Sequence, residues 1–103
     1  MNAAVIVLVG MPASGKSRVG RELAAALGVA HRDSDSLIES SQGRSIPEIF
    51  ASDGEAAFRT IEEEVIGQAL ELPGVLSLGG GALISARTRE RLRGRCVIYI
   101  EAE

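Results

Sequence analysis

The segment Gly10-Met11-Pro12-Ala13-Ser14-Gly15-Lys16-Ser17 constrains this chain more than any other, because it matches the spacing G-x-x-x-x-G-K-S/T in full. Residues 3–9 before it form a continuous apolar run rich in β-branched side chains, which suits a central parallel strand covered on both faces. After it the pattern predicts a helix to about Leu27, with Val19, Leu23 and Leu27 at four-residue spacing on one face and Gly28 as its stop. Strand, glycine-bearing loop and helix in that order make a cradle for an oxyanion. Gly10 and Gly15 let the backbone turn tightly. Successive backbone N–H groups and the helix N-terminus then face phosphate oxygens. Lys16 adds a point charge near the transferring phosphoryl group, and the Ser17 hydroxyl is suited to a Mg²⁺ ligand. Nucleotide-phosphate binding follows from the motif and its setting, but the phosphate acceptor does not.

The remainder of the chain alternates strand and helix patterns. Residues 29–33 read as a short strand and residues 35–42 as a short helix closed by Gly43. Ser45-Ile46-Pro47-Glu48 has the capping-box form with a proline in the first turn. Asp53-Gly54 interrupts that helix, and a longer one is expected over residues 55–72 with Phe58, Ile61, Val65, Ala69 and Leu72 facing inward. Pro73-Gly74 turns into a buried strand at residues 75–78, which ends at Gly79-Gly80-Gly81. A polar helix at residues 87–93 and a last strand at residues 96–100 complete the pattern. Such alternation predicts an α/β fold with a parallel sheet. The length of 103 residues suits one small domain.

Charge and cysteine content narrow the possibilities. A formal net charge of −3 gives no general attraction to nucleic acid or to an anionic membrane, so an anionic ligand needs local positive groups. Arg87, Arg89, Arg91, Arg93 and Arg95 spread around several faces of a helix and its end, and are expected to face solvent. The single cysteine, Cys96, permits no intrachain disulfide and is expected to be a buried thiol in its apolar run. The single histidine, His31, has no second His or Cys with which to hold a metal. The apolar run at residues 3–9 is too short to span a bilayer and follows no basic residues, so the expected location is cytoplasmic.

In open α/β sheets ligands bind at the carboxyl ends of the strands. The phosphate loop, Asp33-Ser34-Asp35, Gly79-Gly80-Gly81 and the start of the Ser45 helix all fall there. Of the two aspartates, one could serve Mg²⁺ through water while the other accepts a hydroxyl proton from the substrate; helix capping is an equally good account of the pair. Three glycines after a buried strand suggest close approach of a ligand to bare N–H groups, against a merely flexible turn. The planar fork of Arg59 suits a carboxylate, although by pattern alone a solvated helix arginine explains it better.

Taken together, these residues resemble the shikimate kinase family. Gly43-Arg44-Ser45-Ile46-Pro47-Glu48-Ile49-Phe50, then Asp53-Gly54-Glu55 and Phe58-Arg59-Thr60-Ile61-Glu62, look like that family's signature. Val75-Leu76-Ser77-Leu78-Gly79-Gly80-Gly81-Ala82 and the position of Asp33-Ser34-Asp35 relative to Lys16 are similar to it as well. The resemblance implies a three-layer P-loop NTPase-type parallel sheet with helices on both faces. It also implies transfer of the ATP γ-phosphoryl group to the 3-hydroxyl of shikimate, on the route to aromatic amino acids. By that resemblance Asp35 and Lys16 are catalytic, and Asp35, Arg59 and Gly80 bind substrate. Ala13, Ser14, Gly15, Lys16, Ser17 and Arg18 wrap the ATP phosphates, while Ser17 and, through water, Asp33 serve Mg²⁺.

Ala13 and Arg18 depart from the family's usual glycine and threonine, without removing a required group. Members of the family continue well past residue 103, through a lid, further arginines, an adenine-binding loop, a last strand and a closing helix. The resemblance therefore implies a chain truncated after its fourth strand, of little activity by itself, a monomer when complete and capable of association when not. Two alternatives share the phosphate loop: a kinase for another small hydroxy acid such as gluconate, and a non-catalytic nucleotide-binding fragment.

Overall fold

Strand β1 (Val5–Gly10) is apolar along its length because it has neighbours on both edges and helices on both faces. It pairs in parallel with β3 (Gly74–Ser77) on one side and with β4 (Cys96–Ile100) on the other. The short strand β2 (His31–Asp33) adds to the far edge of β3, also in parallel, giving the order β2-β3-β1-β4. The computed structural model describes residues 5–10 and 16–100, without the side chains of Lys16 and Ser17. The expected strand start at residues 3–4 and the loop at residues 11–15 lie outside the described residues.

Between the strands run α1 (Lys16–Leu27), α2 (Ser34–Gln42), α3 (Ile46–Asp53), α4 (Glu55–Ala69) and α5 (Ala86–Arg91). Alternation along the strands assigns the two faces of the sheet. Val5, Val7, Val9, Leu76 and Leu78 pack with Ile66, Ala69 and Leu70 at the end of α4. Leu8 and Val75 point the opposite way, onto Ala24 of α1. The three-layer α/β arrangement is therefore present. A third cluster, Ile38, Ile49 and Phe58, joins α2, α3 and α4 into a unit beside the sheet. No helix is long and apolar enough to cross a membrane among the described residues.

Local chemistry accounts for the element ends. Ser45 and Glu48 form a reciprocal capping box at α3, with Pro47 in the first turn. Gly43 ends α2 in the left-handed region at φ 65°. Arg44 bonds Asp53 at 2.9 Å, tying the entry of α3 to its exit.

Four sequence expectations are corrected. The buried face of α1 is Gly20 and Ala24 rather than Val19, Leu23 and Leu27, of which Val19 and Leu27 are exposed and Leu23 is half-buried. The small residues let the helix lie close to β2 and β3: a Cβ on Gly20 would stand 2.6 Å from His31 Nε2 and 2.9 Å from Ser77 Oγ. Gly20→Ala is accordingly expected to lower stability by about 1–3 kcal/mol, read as a fall in Tm, whereas an exposed Gly-to-Ala change in a helix interior normally raises it. On α4 the deeply buried line is Phe58, Glu62, Ile66 and Ala69; Ile61 and Val65 pack sideways on the α2–α3 cluster. Leu72 lies past the helix end and is 44% exposed.

Cys96 is exposed rather than buried, as are Val97, Ile98 and Tyr99, because no helix among the described residues packs closely on the faces of β4, whose main contact is β1. Finally, Arg91 and Arg95 do not simply face solvent. Arg91 reaches the Glu63 carbonyl on α4, and Arg95 donates to the carbonyls of Arg91 and Leu70.

Candidate functional site

The site is built where β2 and β3 end. Asp33, the last residue of β2, has extended backbone and is the N-cap of α2. Its Oδ1 accepts the backbone N–H groups of Asp35 at 2.9 Å and Ser36 at 3.2 Å. The capping account of Asp33 is thus correct, while its Oδ2 makes no hydrogen bond among the described residues. Capping holds Asp35 in the first turn of α2, where the helix dipole favours a carboxylate.

Asp35 faces the glycine segment after β3. A Cβ on Gly79 would run into Asp35 Oδ1, so a larger residue there would displace the carboxylate from this position. Ser34, buried at 0% exposure, accepts the Gly79 N–H at 2.9 Å. Gly80 follows, exposed, and its own N–H makes no hydrogen bond among the described residues. Gly81 meets the next candidate side chain: a Cβ there would stand 2.5 Å from Arg59 Nη2. The glycine segment therefore lies against both Asp35 and Arg59.

Arg59 projects from α4 with its side chain 23% exposed. Nη1 donates to Glu62 Oε1 at 2.8 Å, and Nε lies 3.7 Å from Glu55 Oε2. Its guanidinium carbon sits 5.2 Å from the centre of the Phe58 ring, a cation–π distance. Phe58 in turn stacks on Phe50 at 4.7 Å. Arg59 is thus a held, part-buried cation rather than a solvated helix arginine, with its Nε buried and without a hydrogen bond among the described residues.

Glu62 is the residue that sequence reasoning missed. Only 2% of its side chain is exposed. Burial pushes its carboxyl above the usual glutamate range; the Arg59 bond partly offsets this, while the nearby charges of Asp35 and Glu63 add to the rise. Its spacing was the available signal, since positions 58, 62, 66 and 69 form one helical stripe. A carboxylate in an apolar stripe, three residues after an arginine, points to a buried ion pair.

Other expected residues divide into two groups. Leu8 pairs with Ser77, and the Leu78 N–H donates to the Leu8 carbonyl, so the glycine segment emerges beside the strand that leads into the phosphate motif. Lys16 and Ser17 open α1 at that same end of the sheet. Ala13, Ser14 and Gly15 lie outside the described residues. The Arg18 side chain is exposed and paired with Glu22 at 3.1 Å. His31 lies below the site: its Nε2 is 3.0 Å from Ser77 Oγ, and burial lowers its pKa.

Comparison with known proteins identifies the family and the fold. The family model for shikimate kinase matches residues 12–103. A shikimate kinase of Mycobacterium avium is 59% identical over 96 residues, which cover 92% of this chain and 54% of that protein. The structure of a shikimate kinase from Acinetobacter baumannii in complex with shikimate superposes with a TM-score of 0.92 at 42% identity, over 98% of this chain and 57% of that one. That of a shikimate kinase from Aquifex aeolicus gives 0.88 at 35% identity, over 96% and 60%. The chain thus spans about half the length of the relatives it matches, and over that span it belongs to the shikimate kinase family.

Proposed function

We propose that this chain supplies the phosphate-binding and acceptor-binding half of an ATP-dependent shikimate kinase. The observation that carries this is the convergence of a carboxylate, a held guanidinium and bare glycine backbone beside the strand that leads into the phosphate motif. Shikimate is a small carboxylic acid bearing hydroxyl groups. The Arg59 fork suits its carboxylate, and the Gly80 N–H suits a hydroxyl oxygen. Asp35 accepts the proton of the 3-hydroxyl as its oxygen bonds to the γ-phosphorus of ATP, and ADP leaves with the electrons of the broken P–O bond. Lys16 and the amides of Ala13, Ser14, Gly15, Ser17 and Arg18 hold the phosphates. Little covalent help is needed for such transfer, so positioning and charge do most of the catalysis.

The donor set fits Mg²⁺. Magnesium takes one or two protein oxygens and fills the rest of its octahedron with water and phosphate. Ser17 and, through water, the second oxygen of Asp33 would hold it, and when bound it neutralises charge developing on the phosphates.

ADP release from Mg·ATP is measured with shikimate and with gluconate in parallel, alongside direct titration of both acids. Shikimate-dependent release or saturable shikimate binding is the expected result. A preference for gluconate would overturn the assignment in favour of the other small hydroxy acid kinases.

A further inference from the structure

We infer that Ser34 is a positioning residue, whose hydroxyl sets the spacing between the Asp35 carboxylate and the Gly80 N–H. This rests on the acceptor site proposed above. Ser34 is fully buried, yet its hydroxyl is not needed to cap its own helix, because Asp33 already takes the amides of Asp35 and Ser36. The hydroxyl reaches instead to the end of another strand, where it accepts the Gly79 N–H at 2.9 Å.

That bond marks a change of partner along the backbone. The Leu78 N–H still donates to β1, at Leu8, and the next amide donates to Ser34. The chain therefore leaves the sheet pinned to the first residue of α2. Gly79 is also where the Asp35 carboxylate rests against the α-carbon. One residue is thus held by Ser34 and touched by Asp35, and the exposed Gly80 follows directly. With the Gly79 amide occupied, the Gly80 amide is the first along the segment left to meet a ligand. Without the Ser34 hydroxyl, Gly79 has a part-buried amide with no acceptor, and a three-glycine segment is free to swing.

Amide hydrogen exchange by NMR and ligand titration test this together in the chain, in Ser34→Ala and in Ser34→Thr. In Ser34→Ala the Gly79 amide is expected to exchange at least about tenfold faster while β1 amides do not change. Shikimate affinity falls by about tenfold or more, and ADP affinity by less than about twofold. Ser34→Thr, which keeps the hydroxyl, restores both. Unchanged exchange, equal loss of shikimate and ADP, or a folded Ser34→Thr that behaves like Ser34→Ala would overturn the inference. So would a Ser34→Ala chain that does not fold, since the hydroxyl would then hold the whole structure. If the unsubstituted chain takes no shikimate, it is the acceptor assignment that fails. Exchange alone then decides the pinning: faster Gly79 exchange supports it and unchanged Gly79 exchange refutes it.

Discussion

Carried in a chain of the family's full length, Asp35→Asn is expected to lower shikimate phosphorylation by about a hundred- to ten-thousand-fold, with the fold intact. Asparagine keeps the size and the first-turn position of the side chain but cannot take a proton. The backbone around it is held by groups the substitution does not touch. Asp33 caps the helix, and Ser34 holds Gly79. The loss should therefore appear mainly in kcat, since an amide can still hydrogen-bond a substrate hydroxyl. Steady-state kinetics with shikimate varied at saturating Mg·ATP, together with a thermal melt, provide the check. Turnover within tenfold of the unsubstituted protein would remove Asp35 from the role of base.

The second large effect concerns stability and pH. Arg59→Met leaves the Glu62 carboxylate buried without its counter-charge. Breaking a buried pair from one side costs about 3–5 kcal/mol, and the partial exposure of Arg59 places the expected loss near the lower end. The pH dependence follows from linkage. The folded Glu62 pKa lies above the ordinary value of 4.5, so between the two values the folded state binds more protons than the unfolded chain. Stability therefore falls as pH rises through that window.

Arg59→Met removes the guanidinium that offsets the rise, which extends the window to higher pH and steepens the loss. Glu62→Gln removes the titrating group and flattens the slope. The double variant Arg59→Met with Glu62→Gln should recover most of the stability near neutral pH, because no unpaired charge is left in the interior. It should not recover shikimate affinity, since the cation proposed for the carboxylate is gone. Denaturant unfolding from pH 4 to pH 8 across the four proteins gives the result. Parallel pH profiles for all four would mean that Glu62 titrates as an ordinary surface carboxylate.

What was legible in the sequence was local. Motif spacing, apolar runs and turn chemistry rest on interactions within a few residues, so strand and helix order, the Ser45 capping box and the glycine stops could be read directly. The family resemblance likewise rested on short segments as they stand in the chain. Asp35, Arg59 and the three glycines could be nominated, because strand ends in a parallel sheet share one side.

What only the tertiary structure decided were matters of which face meets which neighbour. The helical period of α1 admits more than one face, and the close approach of His31 and Ser77 selects Gly20 and Ala24. Cys96 looked like a core residue by its apolar neighbours, and it is exposed because no helix among the described residues packs closely on β4. Glu62 is a polar letter in the sequence, and it became a buried partner only when α4 packed on the sheet with Arg59 across from the glycine segment. Ser34 is another such case. No pattern within its own helix indicates that its hydroxyl is spent on an amide 45 residues away, because only the parallel pairing of β2 with β3 brings the two strand ends together.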